Sequence, residues 1–146
     1  MTRIDFYILS ECPQDQCLLF TCRLAEKLYL KHHRCYIHTE SGEQSAQLDQ
    51  LLWTSNTNFI PHELYKNGNS LCVAIQIGCE NDPKISISEQ DGVDVLINLT
   101  PAIPEFFSRF ARLVEVVAFD EIHKQKARER FRFYRDRGYA LESHTI

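Results

Sequence analysis

The sequence has few glycines, and their spacing excludes the common phosphate-binding loops. The five glycines of the 146-residue chain are far apart, at Gly42, Gly68, Gly78, Gly92 and Gly138. A dinucleotide-binding fingerprint needs glycines two and three residues apart, and a P-loop needs two glycines flanking four residues before Lys and Ser or Thr. The first strand-to-helix turn, SECPQDQ, has no glycine and carries two acids that would repel phosphate. A nucleotide-binding cofactor site is therefore not expected.

Signatures of catalysis and of metal binding are also missing. The chain has six cysteines and six histidines, yet CxxC, HxxxH and GxSxG do not occur. Cys12, in the first strand-to-helix turn, is where a nucleophile could lie, with His62 or His123 as its base. Nothing in the spacing supports that set, so we expect no active site, no metal and reduced, mostly buried cysteines.

Long apolar segments are absent as well. No run of about 18 apolar residues occurs, so no membrane span is predicted. The N-terminus, MTRIDFYILSE, reaches an acid at Asp5 and does not resemble a secretory signal. We therefore expect a cytoplasmic protein.

Hydrophobic periodicity predicts strands that alternate with helices. Strands are predicted at 3–10, 35–39, 72–77, 93–99 and 114–119, and helices at about 15–32, 41–53, 105–113 and 121–137. Ser41 with Gln44 forms a capping-box signature, Asp120 is a suitable N-cap and Gly138 a suitable stop. This order predicts a three-layer α/β/α domain with a largely parallel five-stranded sheet. Without repeats or a linker, residues 1–146 are expected to form a single domain.

Positive charge is concentrated in one C-terminal segment, KQKARERFRFYRDRG. Lys124 to Gly138 holds seven basic residues against two acids, so the segment carries +5 while the chain as a whole carries −4. The remainder of the chain must then carry −9. A solvated helix face, a site for an acidic peptide and a nucleic-acid site all remain open at this point.

A helical wheel at about 100° per residue divides these charges. Four of them form a stripe beside an apolar arc, and we call these four the basic stripe: Lys124, Arg128, Arg132 and Arg135. Ala127, Phe131 and Tyr134 form the arc that should face the core. The three remaining cations are predicted to be ordinary solvated charges: Lys126, Arg130 and Arg137.

Arginine next to aromatic surface suits an acidic peptide with an apolar anchor. The −9 of the remaining chain disfavours extended contact with DNA or RNA. A second aromatic region, LLWTSNTNFIPHEL, contains Trp53 and Phe59 and could be either part of the core or the anchor of a protein interface.

Four segments resemble the chi subunit family of bacterial DNA polymerase III. The matching segments are LDQLLW, FIPHEL, DVLINL and, as the most specific, KQKARERFRFYRDRGYAL. The resemblance spans nearly the whole chain. It implies a Rossmann-like α/β fold without nucleotide binding, and a non-catalytic accessory subunit of the polymerase in DNA replication.

The resemblance also implies partners and site residues. The family pairs one-to-one with the psi subunit and binds the acidic, Phe-terminated tail of single-stranded DNA-binding protein, so DNA would be reached only indirectly. The tail would meet the basic stripe, with Val117 and Phe131 lining a pocket for its terminal Phe. Phe131 is commonly Tyr in the family, and Arg132 is often Lys. The psi subunit would bind a group that we call the Trp53 patch: Trp53, Phe59, Pro61 and His62.

Alone, the chain is expected to be a monomer. The alternatives that the sequence leaves open are a small nucleotide-binding enzyme and a direct binder of single-stranded DNA.

Overall fold

The computed structural model describes residues 2–9, 15–54, 61–64, 74–79, 93–118 and 120–145. These residues form seven strands and three α-helices in α/β order. The strands are β1 (Arg3–Ile8), β2 (Cys35–His38), β3 (His62–Leu64), β4 (Ile75–Gly78), β5 (Val95–Asn98), β6 (Arg112–Val117) and β7 (Ala140–Thr145). The helices are α1 (Asp15–Leu30), α2 (Gly42–Thr54) and α3 (Glu121–Asp136).

The strands form one sheet in the order β3-β4-β2-β5-β6-β1-β7. Every pairing between described strands is parallel, and β1 lies between β6 and β7, with Ile4 opposite both Leu113 and Leu141. Both faces of a parallel sheet are normally covered, which is why the central strands are almost continuously apolar. The α/β class and the parallel sheet predicted from the sequence are confirmed.

The two faces of the sheet carry separate apolar clusters. Helices α1 and α2 cover one face, where Leu28 and Leu48 pack with the inward residues of β2, β4 and β5. Helix α3 covers the other face, where Ala127 and Tyr134 pack with Ile4, Phe6 and other residues of the second cluster. Alternate residues along each strand point to opposite faces, so one short apolar strand contributes to both clusters.

Helix α3 begins and ends where the sequence predicts. The Asp120 carboxylate accepts the backbone N–H of His123, which is an N-cap bond, at 2.9 Å. At the other end Gly138 has φ 83°, a left-handed conformation that favours glycine, and the Tyr139 N–H donates to the Tyr134 carbonyl at 3.2 Å. This is a Schellman ending, and it turns the chain back towards the sheet as β7.

Two predictions about the elements are wrong. The sheet has seven described strands, since β3 and β7 add to the five predicted. The predicted helix over 105–113 is only a 3₁₀ turn at Phe107–Arg109, after which β6 begins at Arg112.

No described helix is long and apolar enough to cross a membrane.

Candidate functional site

A buried carboxylate fixes the inward side of α3. Glu115, in the middle of β6, is completely buried on the face that α3 covers. Its two oxygens accept hydrogen bonds from Arg130 Nε at 2.6 Å, Asn98 Nδ2 at 2.5 Å and Tyr134 OH at 3.2 Å. Arg130 also donates from Nη1 to the Pro101 carbonyl at 2.9 Å. We call Glu115, Arg130, Asn98 and Tyr134 the Glu115 network.

The hydrogen bonds of the Glu115 network offset the free-energy cost of burying the charges of Glu115 and Arg130. Burial raises the pKa of Glu115, whereas the charge of Arg130 and the donors on Asn98 and Tyr134 act in the opposite direction. Burial likewise raises the pKa of Tyr134, and the nearby Glu115 charge adds to that effect, so the phenol remains a donor. A buried carboxylate with several donors is stable only while those donors remain in position.

The prediction that Arg130 is a solvated charge is wrong. The residue is only 5% exposed, because the buried arc of α3 is wider than the apolar residues alone suggest. Arg130 lies about 60° beyond Ala127 on the wheel, and Glu115 provides the partner that makes its burial tolerable. Lys126 and Arg137 are exposed, as predicted, and the Arg137 guanidinium lies 4.3 Å from the centre of the Phe133 ring.

The outward side of α3 carries the basic stripe. Arg128 and Arg132 are exposed, and neither has an ion-pair partner among the described residues. Lys124 is half-buried, and Arg135 approaches Asp136 at 3.4 Å in an exposed pair. Such an exposed pair contributes little free energy. The stripe therefore offers guanidinium groups that the described part of the protein leaves available to a ligand.

An apolar margin lies next to the stripe. Phe131 is half-buried and packs edge-on against Phe6, with ring centres 5.5 Å apart. Val117 belongs to the same cluster but is almost fully buried, so Phe131 provides more accessible surface than Val117. Ile8, half-buried and directly opposite Val117 on β1, is a further member that sequence reasoning missed. Its position two residues after Phe6 on the same face of the strand was the available signal.

The Trp53 patch lies at the end of α2 and the start of the edge strand β3. Trp53 is 54% exposed, and its ring lies 4.6 Å from the ring of His62. The His62 side chain is almost fully buried, with Nε2 3.3 Å from Asp49 Oδ1. Pro61 is half-buried, and Phe59 lies outside the described residues. The structure thus brings Trp53 and His62 together, with Trp53 as the exposed member.

The residues considered for catalysis do not form a set in the described residues. Cys12 lies outside them, and His62 belongs to the Trp53 patch. His123 is held by the N-cap of α3, its Nδ1 being 2.5 Å from Asp120 Oδ2. These two histidines therefore have structural surroundings at different places in the fold.

One cluster has the composition of a metal site, namely Asp5, Glu142 and His144 on β1 and β7. Its carboxylates already face two arginines. Arg112 Nε lies 2.7 Å from Asp5, and Arg3 Nη2 lies 3.2 Å from Glu142 and 3.6 Å from Asp5. These guanidinium groups neutralise the two acids, so the cluster is an ion-pair network across the sheet edge.

Fold and surfaces together define an α/β domain with a parallel sheet that presents a basic helix and an exposed tryptophan. A sequence model described as "DNA polymerase III chi subunit, HolC" matches residues 1–142. The chain belongs to this family of DNA polymerase III subunits, which act in DNA replication.

Relatives in three bacteria carry the same description, DNA polymerase III subunit chi. The Pseudomonas aeruginosa protein is 36% identical, with 100% of this chain and 98% of the relative covered. The Haemophilus influenzae protein is 30% identical over 97% of this chain and 96% of its own length. The Escherichia coli protein is 30% identical over 85% of this chain and 82% of its own length.

Among solved structures, the fold is similar to parts of T4 UvsW and of the DEAD-box helicase Mss116p. T4 UvsW matches with a TM-score of 0.71 at 9% identity, over 99% of this chain and 41% of that chain. Domain 2 of the DEAD-box helicase Mss116p, bound to an RNA duplex, matches with a TM-score of 0.62 at 9% identity, over 96% and 63% of the two chains. At this identity the similarity concerns the fold alone.

Proposed function

We propose that this chain is a cytoplasmic, non-catalytic adaptor of the DNA polymerase III holoenzyme with two protein-binding surfaces. The basic stripe binds the acidic, Phe-terminated tail of single-stranded DNA-binding protein. The Trp53 patch binds the psi subunit, which links the chain to the clamp loader. The observation that carries the proposal is the pair of exposed arginines, Arg128 and Arg132, that have no described ion-pair partner.

Helix stability does not account for the stripe. Lys124, Arg128 and Arg132 follow one another at intervals of four residues, and like charges at this spacing destabilise a helix by about 0.2–0.5 kcal/mol per pair. Arg135, in the last turn, gains from the C-terminal end of the helix dipole, whereas Lys124, in the first turn, does not. A cost of this kind is offset when a ligand supplies the missing negative charge.

An acidic peptide that ends in an apolar residue fits the surroundings of the stripe. Guanidinium groups bind carboxylates with two parallel hydrogen bonds, and Arg128 would take the terminal carboxylate in this way. The half-buried ring of Phe131 and the half-buried side chain of Ile8 offer an apolar margin to the ring of the peptide's terminal Phe. Because the rest of the chain is acidic, a short ligand is favoured over a long polyanion.

The experiment that tests the stripe is titration calorimetry with a synthetic acidic peptide ending in Phe. Arg128→Ala should weaken binding by about tenfold or more, the scale of a lost charge-assisted hydrogen bond. Lys126→Ala removes an exposed charge from the same helix outside the stripe and serves as the matched control. The same affinity for wild type and Arg128→Ala, with both folded, would refute the assignment.

The length of the peptide provides a second control. Removal of its terminal Phe should abolish measurable binding, since the anchor and the terminal carboxylate position are lost together. Rising salt should weaken the complex, because part of the attraction is ionic.

The Trp53 patch is tested separately. Tryptophan is enriched at protein interfaces, and Trp53 is 54% exposed. Trp53→Ala should prevent co-purification with psi while leaving the affinity for the acidic peptide unchanged. Loss of both activities would point to unfolding and not to two surfaces.

Direct binding of single-stranded DNA is the second candidate, and the positive charge of α3 favours it. Measurable oligonucleotide binding by the isolated protein that is lost with Arg128→Ala would support it over the peptide. A nucleotide-binding enzyme predicts a clear rise in melting temperature with ATP, NAD or FMN. The absence of that rise is the outcome that the adaptor proposal expects.

A further inference from the structure

We propose that the Glu115–Arg130 ion pair positions helix α3 so that the basic stripe presents its arginines correctly to the peptide. The inference rests on the proposed function of the stripe. Arg130 and Glu115 would be positioning residues, since neither is exposed to a ligand.

The geometry of the pair is suited to fixing a helix. Arg130 and Tyr134 are one turn apart on α3, and both donate to the same oxygen of Glu115, Oε2. Apolar contacts have little directional preference, whereas these bonds weaken steeply when the donor moves off line. A rotation of α3 about its axis would therefore break the network before it disturbed the apolar packing.

The network also fixes the position of α3 along the sheet. Arg130 reaches the Pro101 carbonyl, and Asn98 donates both to Glu115 and to the Ala102 carbonyl, at 3.0 Å. The segment that follows β5 is thus joined to β6 and α3 through one carboxylate. Three elements that are distant in the sequence share one hydrogen-bonded centre.

Fixing Arg130 fixes the stripe on the other side of the helix. Arg128 and Arg132 each lie two residues from Arg130, which places them about 160° away around the axis. A regular helix transmits the orientation of one residue to its neighbours. Arg128 faces solvent, has no ion-pair partner among the described residues to orient it, and depends on this internal anchor.

Stability is not a sufficient explanation for the pair. Buried ion pairs often contribute no more stability than apolar residues of similar size, and in some proteins they specify a unique arrangement instead. The test should therefore remove both charges together and measure binding apart from folding.

The main variant is Glu115→Gln/Arg130→Met, which leaves the net charge unchanged. The Gln oxygen can still accept from Asn98, and the Gln NH2 group can donate to the hydroxyl oxygen of Tyr134. The double variant should fold with a melting temperature close to that of the wild type, yet bind the acidic Phe-terminated peptide about tenfold more weakly. Its affinity should also depend less on salt, although every residue of the stripe is intact. The matched control is Lys126→Met/Glu129→Gln, which removes two exposed side chains of opposite charge from α3 and should change the affinity less than about twofold.

A folded double variant that binds the peptide like the wild type would overturn the positioning role. If the double variant does not fold, Tyr134→Phe takes its place, because it removes one hydroxyl from the network. We then expect a two- to threefold loss of peptide affinity, the smaller effect of one neutral donor, and an unchanged affinity would again overturn the role.

Amide hydrogen exchange distinguishes this inference from the proposed function. If the wild type fails to bind the peptide, the proposed function is wrong, but the anchoring of α3 can still be measured. The double variant should exchange the α3 amides at least about tenfold faster while β1 and β6 retain wild-type rates. If amide exchange becomes equally faster in all elements, the ion pair contributes only to global stability, and the inference is contradicted.

Discussion

The inward and outward sides of α3 hold the same kind of residue in opposite surroundings. Arg130 is buried and bonded to a carboxylate, whereas Arg128, two positions earlier, is exposed without a described partner. Arg130 can act only on its own protein, because it is buried and bonded to the Glu115 carboxylate and the Pro101 carbonyl. Arg128 keeps its donors available. The comparison teaches that the function of a cation in this helix depends on whether the sheet supplies an acid beneath it.

The largest expected effect is on the inward side. Arg130→Met should lower the free energy of unfolding by about 3–5 kcal/mol at pH 7, because it leaves Glu115 buried without its cation. Urea unfolding measures this loss, with Lys126→Met as the control. A loss below about 1 kcal/mol would mean that the two sides of the helix do not differ as described.

The same variant should become more sensitive to pH than the wild type. Burial raises the pKa of Glu115, and Arg130→Met removes the charge that opposes this rise. The folded variant then binds the Glu115 proton more tightly than the unfolded chain does, so its stability falls as pH rises above the ordinary glutamate pKa of 4.5. The defect relative to wild type should therefore be largest near pH 7 and shrink towards pH 4.5. A defect that is constant over this range would contradict the assignment of the cost to Glu115.

On the outward side, binding and stability should separate. Arg128→Ala should cost about 1.5–3 kcal/mol of peptide binding and less than about 0.5 kcal/mol of unfolding free energy. Calorimetry and urea unfolding on one preparation give both numbers. A large loss of stability would show that Arg128 also supports the fold, which would weaken the contrast with Arg130.

A finer test removes one atom from the inward side. Tyr134→Phe deletes the hydroxyl that donates to Glu115 but keeps the ring in the core, so unfolding free energy should fall by about 1 kcal/mol. Thermal and urea unfolding should agree on this value. An unchanged stability would indicate that Arg130 and Asn98 satisfy the carboxylate without the phenol.

The smallest effect should come from the exposed end of the helix. Arg137→Gln removes a guanidinium that lies over the Phe133 ring, a contact of about 0.5–1 kcal/mol at an exposed site. Peptide affinity should remain within about twofold, since Arg137 is not part of the stripe. A strong loss of binding would extend the ligand surface to this end of α3.

The sequence was sufficient for the elements that have strong periodicity or clear end signals. The parallel strands and α3, with its Asp120 cap and Gly138 ending, follow from such local patterns. β7 was missed because an edge strand such as ALESHT is mostly exposed and lacks the apolar alternation of a central strand. β3 was missed because it has three residues and follows a proline.

The sequence likewise predicts only part of the candidate site. A wheel separates polar from apolar positions, and it correctly places Ala127 and Tyr134 inside and Arg128 outside. It cannot identify a buried charge whose partner lies on another element. Glu115 within the apolar run LVEVV was the signal, because an acid in a central strand needs a cation. The identity of that cation depends on the tertiary structure, 15 residues further along the chain.

The return of the chain as β7 gives helix α3 a particular mechanical setting. Helix α3 connects β6 to β7, and both strands are hydrogen-bonded to β1 between them. A pull on a peptide held by α3 would pass into two strands that lie side by side with a third. Strands loaded along their length must release several hydrogen bonds together, and not one after another. A partner attached to this helix would thus be held at both ends by strands that pair with β1, an arrangement suited to a link that bears tension.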